Sequence, residues 1–249
     1  MPHIVITNDD GIAAPGLRAL VKGIEGMGNI SIVAPSYERS ATAQSLTLRQ
    51  PIYCDKVADN EWAIEGTPAD AMIVAFHALF ATPPDLVISG INRGSNLGEN
   101  IYYSGTVGAA MEAAINKVPA LAVSLLTRGR SYDFEPAAKF VRKLIPLVLK
   151  EGLPSGVLLN INVPPKWNGK VRFTRQSSKI TRNVLQPGQD PRGRTYYWLR
   201  EQEVIEGIGS DTDYAAIFAG EISITPLHLD HTDTPSLNHL SHWAKFLSE

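Results

Sequence analysis

Short apolar runs and amphipathic stretches alternate through the first two thirds of the chain. Ile4-Val5-Ile6 is β-branched and apolar at consecutive positions, the pattern of a strand buried on both faces, and predicts a strand over Ile4–Thr7. Pro15–Glu25 carries Leu17, Leu20, Val21 and Ile24 at helical spacing, with a proline where a first helical turn tolerates one, and predicts a helix. Further strands are expected over Ile30–Ala34, Leu86–Ser89, Ala120–Ser124 and Val157–Val163. Helices are expected over Ala69–Phe80, Val107–Asn116 and Glu135–Leu149. This order predicts an α/β fold: a mainly parallel sheet with helices on both faces.

The pattern changes near residue 170. Val171–Arg175 reads as a strand, and Gln176–Arg194 is polar and rich in Pro, Gly and charge. Thr195–Leu199, with Tyr196, Tyr197 and Trp198, is strand-like; Glu201–Gly209 is polar, and Ile222–Thr225 is again strand-like. Ser236–Leu247 places Leu237, Leu240, Trp243, Ala244 and Leu247 on one helical face. The expectation is one domain over residues 1–249. Its core spans about 1–170; a β-hairpin arm and a C-terminal helix over about 171–249 serve oligomerisation.

Composition narrows the picture in three ways. With 249 residues, 44% of them hydrophobic, the chain can bury one large α/β core. A net charge of −2 gives no basic surface for a nucleic-acid polymer, although a single nucleotide needs only a local site. The one cysteine, Cys54, excludes an intrachain disulfide and a cysteine zinc site, and reads as a small hydrophobe on a strand. No segment has the charged-then-apolar layout of a secretory signal, and none approaches the roughly 18 apolar residues of a membrane span. A cytoplasmic protein without membrane contact is expected.

Chemistry concentrates where strands end. The first strand runs into Asn8-Asp-Asp-Gly11, two adjacent carboxylates at the sheet edge where open α/β folds bind ligands. Adjacent aspartates repel, so a semi-buried pair favours a cation between them; the same four residues also read as a turn capping the next helix. After the second strand, Ser36-Tyr-Glu-Arg-Ser40 offers Ser40 as an oxygen ligand, or is a plain surface loop. Ser89-Gly-Ile-Asn-Arg-Gly-Ser-Asn-Leu-Gly98 is a strand entering a Gly/Asn-rich loop in which Asn92 and Asn96 offer carboxamide oxygens. It is neither a Walker A loop nor a dinucleotide fingerprint.

Ser104-Gly-Thr106 precedes a small-residue helix and reads either as a phosphate cradle of hydroxyl and amide donors or as an ordinary N-cap. In Gly66-Thr-Pro-Ala-Asp70, Thr67 caps a helix with Asp70 as its partner. The histidine pairs His228/His231 and His239/His242 lack the second segment a zinc site requires and read as surface or helix-packing residues. No Gly-x-Ser-x-Gly elbow is present.

Taken together, these motifs resemble the SurE (survival protein E) family, metal-dependent 5'/3'-nucleotidases. The resemblance is carried by Thr7-Asn-Asp-Asp-Gly11, Ala34-Pro35 with Arg39-Ser40, Gly66-Thr-Pro-Ala-Asp70, Ser89-Gly-Ile-Asn-Arg-Gly94 with Asn96-Leu-Gly98, and Tyr103-Ser-Gly-Thr106. It continues through Asn160-Ile-Asn-Val-Pro164, Gln189-Asp-Pro-Arg-Gly193, Thr212-Asp213 and Ser223-Ile-Thr-Pro-Leu227. It implies a Rossmann-like three-layer α/β/α core, with dimers or tetramers built through an arm or tail. It also implies one divalent cation per subunit, Mg²⁺ or Mn²⁺, held by Asp9, Asp10, Ser40 and Asn92, a set whose oxygens suit a hard ion. Asn8, Asn96, Ser104, Gly105 and Thr106 would bind the phosphate of a nucleoside monophosphate. Asp9 and Asp10 are the expected catalytic carboxylates, with Asp9 orienting or deprotonating the attacking water.

Two other classes compete. A haloacid-dehalogenase-type phosphatase needs an Asp-x-Asp nucleophile motif, whereas Asp9 and Asp10 are adjacent. A non-catalytic nucleotide-binding regulator would use the same crevice without releasing phosphate.

Overall fold

A computed structural model describes residues 1–127, 132–178, 181–203 and 209–248. Its strands are β1 (His3–Thr7), β2 (Asn29–Pro35), β3 (Cys54–Ala58), β4 (Glu61–Ile64), β5 (Leu86–Arg93), β6 (Ala120–Leu125), β7 (Val157–Val163), β8 (Val171–Phe173), β9 (Thr181–Gln189), β10 (Thr195–Glu203) and β11 (Ile222–His228). Its α-helices are α1 (Pro15–Gly23), α2 (Pro68–Val74), α3 (Gly105–Ile115), α4 (Glu135–Glu151), α5 (Asp213–Phe218), α6 (Thr234–Leu240) and α7 (Ala244–Leu247).

Nine strands form one sheet in the order β3-β4-β2-β1-β5-β6-β7-β11-β8. The central run β4-β2-β1-β5-β6-β7 is parallel throughout. Antiparallel pairs occur at β3–β4 and at β7–β11. Both faces of the central strands are covered, which is why they read as continuous apolar runs. Ile4 and Ile6 of β1, with Leu121 and Val123 of β6, pack on one face against Leu17 and Leu20 of α1 and Val141 and Ile145 of α4. Val5, Val87 and Ala122 pack on the other, against Met72 of α2 and Val107, Ala110 and Ala113 of α3. Layers of helix, sheet and helix result, as expected from the alternation.

Close backbone approach fixes two of these contacts. A Cβ on Gly16 of α1 would lie 2.0 Å from the Ile91 carbonyl oxygen, and one on Gly23 would lie 2.5 Å from the Ala138 methyl of α4. Bulkier residues at either point would lift α1 off the sheet and off its neighbour.

Several elements differ from the sequence expectation. The expected helix over Ala69–Phe80 is α over Pro68–Val74 and then a π-helical turn over Ala75–Leu79. The expected strand over Leu86–Ser89 runs on to Arg93, with a bulge against β6 between Ser89 and Asn92. Helix α5 was not anticipated, and strands β3 and β4 carried no expected bounds; Cys54 lies on a strand, β3, as expected, but is exposed. Within the polar stretch Gln176–Arg194, residues 181–189 form β9, which pairs antiparallel with β10 as the hairpin arm. The polar stretch 201–209 lies partly outside the described residues. The single helix expected over Ser236–Leu247 is instead α6, a 3₁₀ turn over Ser241–Trp243 and α7, none of whose residues is buried.

Candidate functional site

Strands β1 and β5 are neighbours, and the chain leaves β1 toward β2 but leaves β5 toward β6, in opposite directions along the sheet. That is the switch point of an open α/β fold, where loops part and leave a crevice beyond the strand ends. A cavity of about 220 Å³ opens there, and Asp9, Asp10, Ser40, Asn92, Asn96 and Ser104 line it. Three connections therefore converge: the turn after β1, the loop after β2 and the long connection from β5 to α3.

The turn after β1 is closed from within by Asn8. Its amide donates to the Gly11 carbonyl at 2.9 Å, and its Oδ1 accepts the Gly11 N–H at 3.2 Å. Asn8 is fully buried, and its side chain sits behind the cleft rather than in it. With the turn rigid, Asp9 and Asp10 emerge at fixed angles. The Asp9 carbonyl also accepts the Arg39 N–H at 2.7 Å, joining this turn to the second loop.

Asp9 is almost enclosed. The Thr106 hydroxyl donates to its Oδ1 at 2.5 Å. The space for that contact exists because residue 105 is glycine: a Cβ there would lie 2.8 Å from the Asp9 Cβ. Asp9 thus lies at the N-terminus of α3, where free amides and the helix dipole favour a negative charge. Burial nevertheless dominates and pushes its pKa up to about 6, with the Thr106 hydroxyl pulling down and the Asp10 charge pushing up. Burial also raises the pKa of Asp10, opposed by the Arg93 N–H that donates to its Oδ2 at 3.3 Å.

Two carboxylates strained by desolvation and by each other are a standing demand for positive charge. Ser40 and Asn92 add a hydroxyl and a carboxamide oxygen to the same cleft. Ser40 donates its proton to Glu38 Oε1 at 2.7 Å, which leaves the hydroxyl lone pairs available. Asn92 donates from Nδ2 to the Gly94 carbonyl at 2.9 Å, which fixes its amide plane. The bulge between Ser89 and Asn92 re-aims the end of β5 toward the cleft. The donor set is all oxygen, with no thiolate or imidazole, and fits a hard divalent ion. Among the described residues no cluster of three His, Cys, Asp or Glu side chains offers a competing metal centre.

The rest of the expected residues divide into lining and support. Ser104 lines the cavity and is also the N-cap of α3, accepting the Val107 N–H at 3.1 Å. Thr106 is fully buried with its hydroxyl on Asp9, and Gly105 packs against Asp9; neither lines the cavity. Asn96 lines the cavity on a heavily braced loop. Its N–H donates to Asn162 Oδ1, its side-chain amide donates to Ser124, and its carbonyl accepts from Asn160 and Asn162. Asp213, at the start of α5, accepts the Gly98 N–H at 2.9 Å and holds the far end of that loop.

Glu38, Arg93, Asn100 and Tyr103 also line the cavity and had no expected role. Glu38, Arg93 and Tyr103 sit inside the quoted motifs, so their place in those motifs was the one available signal. Arg93 brings positive charge, its guanidinium 5.4 Å from the Tyr132 ring centre.

Comparisons with known proteins identify the family. The family described as Survival protein SurE matches residues 4–183. The 5'-nucleotidase SurE of Geotalea uraniireducens (strain Rf4) is 44% identical over 243 residues, covering 96% of this chain and 98% of that protein. The 5'-nucleotidase SurE of Syntrophotalea carbinolica is 44% identical over 244 residues, covering 97% of each. The crystal structure of the SurE protein from Aquifex aeolicus superposes with a TM-score of 0.87 at 35% identity, over all of both chains. Fold, motif order and relatives converge: this chain belongs to the SurE family.

Proposed function

We propose that the protein is a divalent-metal-dependent nucleotidase that hydrolyses nucleoside 5'-monophosphates to nucleoside and inorganic phosphate. The observation that carries this reading is the pair Asp9 and Asp10, both desolvated and both with raised pKa, in a cleft of oxygen donors beside a helix N-terminus. Asp9, Asp10, Ser40 and Asn92 would hold one Mg²⁺ or Mn²⁺ per subunit. Bound there, the ion supplies positive charge at the phosphoryl oxygens and increases the acidity of a water in the cleft.

The chain's own groups do the rest. Ser104 and Asn96, on the cleft wall, would donate to phosphoryl oxygens as charge redistributes in the transition state. Asp9, held by Thr106, would accept the proton of the attacking water. Oxygen attack on phosphorus opposite the ester bond releases the nucleoside alkoxide, which takes up a proton. Asn8, Gly105 and Thr106 would serve by fixing Asp9 rather than by touching phosphate.

The same reading makes the protein a cytoplasmic homodimer or homotetramer. Val184, Leu185, Tyr196, Tyr197, Trp198 and Leu199 expose apolar surface on the arm, as do Leu237, Trp243, Phe246 and Leu247 at the C-terminus. Apolar area on this scale marks protein contact.

The test is phosphate release from a panel of 5'- and 3'-monophosphates with EDTA, Mg²⁺ or Mn²⁺. Metal-dependent release that Asp10→Ala lacks is expected. Release in EDTA at the same rate, or none with either metal from folded protein, overturns the reading.

A further inference from the structure

Asp70 is a carboxylate 1% exposed, and nothing in the proposed chemistry uses it. Its role in the α2 capping box occupies only part of its hydrogen-bonding capacity. As the box requires, Asp70 N–H donates to Thr67 Oγ1 at 3.1 Å and Thr67 N–H donates to Asp70 Oδ2 at 2.8 Å. Two further donors reach Asp70 from a different part of the chain. Thr47 N–H donates to Oδ1 at 3.0 Å and Thr47 Oγ1 donates to Oδ2 at 2.6 Å. The Thr67 hydroxyl adds a bond to the Ser45 carbonyl at 2.7 Å.

Thr47 belongs to the segment between β2 and β3, which also carries Ser40 and has no regular secondary structure between Ser36 and Tyr53. Ala41 and Ala43 in it adopt positive φ, a conformation that costs a residue with a side chain and persists only where neighbours hold it. An untied segment of this length would sample many positions for Ser40 at an entropic cost to any single one. Its start is tied through Arg39 N–H to Asp9, and its middle through Ala43 N–H to Tyr103 and Gln44 to Glu112. Asp70 is the buried charge on which its descending limb closes. A carboxylate accepting directed bonds from both the segment and α2 locks one to the other more firmly than neutral partners would.

We infer that Asp70 is a positioning residue for the cation site: through Thr47 it holds the Ser40 hydroxyl where a divalent ion needs it. The inference rests on the assignment of Ser40 as a ligand. Asp70 does not touch the ion or the substrate; it acts through the shape of the 36–53 segment.

The test reads Mn²⁺ binding directly, by the loss of the free-ion paramagnetic resonance signal, in the full-length protein without substrate. Asp70→Asn should weaken Mn²⁺ binding by about tenfold, in the range for partners behind a metal ligand. Thr47→Val, which keeps the cap and removes one bond, should weaken it about threefold, and Thr47→Ser should restore it. Saturating Mn²⁺ should return kcat of Thr47→Val close to wild type, a rescue that a general loss of folding would not permit. In a Ser40→Ala background, Thr47→Val should cost nothing more, since the ligand it positions is gone. Undiminished Mn²⁺ affinity in folded Thr47→Val, or an equal loss with and without Ser40, overturns the inference. If Ser40→Ala alone leaves Mn²⁺ affinity unchanged, the ligand assignment fails first and the positioning role falls with it.

Discussion

The cleft beside β1 and the arm of β9 and β10 are built from opposite materials. In the cleft, polar groups are buried and partnered: Asn8 with Gly11, Asp9 with Thr106, Asn96 with Ser124, Asn160 and Asn162. On the arm, apolar groups are exposed: Trp198 is 65% accessible, and at the C-terminus Phe246 is 77% accessible. Buried polar groups are tolerated when their donors and acceptors are largely met, and then they specify one arrangement; in this network Asn160 Oδ1 is left without a protein partner. Exposed apolar groups have no such completion within one chain. The polar cleft is organised within the chain; in the proposed oligomer the arm and C-terminus would be covered by a second copy.

The largest effect should come from the cleft. Asp10→Ala should lower kcat by at least about 10³-fold with circular dichroism unchanged, because a carboxylate that holds the cation acts on every charged group in the transition state. Wild-type turnover in that variant would dissolve the distinction between the two halves.

Thr106→Val should come next. A hydrogen bond to a charged group contributes about 1.5–3 kcal/mol, so kcat/KM should fall by between about 10- and 150-fold. In the metal-free protein the Asp9 pKa, already pushed up to about 6, should climb further without the hydroxyl, so half-maximal Mn²⁺ binding should move to higher pH. An unmoved pH dependence of Mn²⁺ binding would separate Asp9 from the ion.

The arm should behave in reverse. Trp198→Glu together with Phe246→Glu should lower the mass measured by light scattering while kcat per chain stays within about twofold, since a charge placed in an apolar contact disfavours association. Unchanged mass would mean that these surfaces do not assemble the protein.

The smallest effect is on stability. Asp9 titrates near 3.8 when unfolded and near 6 in the fold, so its contribution is intact below about pH 3.8 and is lost as pH rises through 6. A bound cation offsets that loss. The gain in Tm from Mg²⁺ should therefore be larger at pH 8 than at pH 5, by about 2–4 °C for each kcal/mol. An equal gain at both values would detach the ion from Asp9.

How much of this the sequence disclosed follows from the same contrast. Strands buried on both faces announced themselves; β7 was read over Val157–Val163, where it lies. Strand β3 is exposed along its whole length, so Cys54–Ala58 carries no apolar period to detect. Strand β9 contains Pro187 and Gly188 and faces no core of its own chain, and it read as a polar connection. Around the cleft, residues close in sequence were legible as motifs: Asn8 to Gly11 and Ser104 to Thr106, and farther off the cap of Thr67 with Asp70. Pairings across the fold were not. Thr106 meets Asp9 across 97 residues, Asn160 meets Asn96 across 64 and Thr47 meets Asp70 across 23. For that reason the bond from the Thr106 hydroxyl to Asp9 could not be read from the motif.

The place of Asp9 at the N-terminus of α3 has a kinetic consequence. The positive end of that helix already faces a carboxylate, so without a cation an incoming phosphate meets like charge from Asp9 and Asp10. Ligand addition should be ordered, cation before nucleotide, and phosphate should leave before the cation does. Inorganic phosphate would then inhibit competitively only in enzyme that has kept its ion, and metal-stripped protein should be indifferent to it.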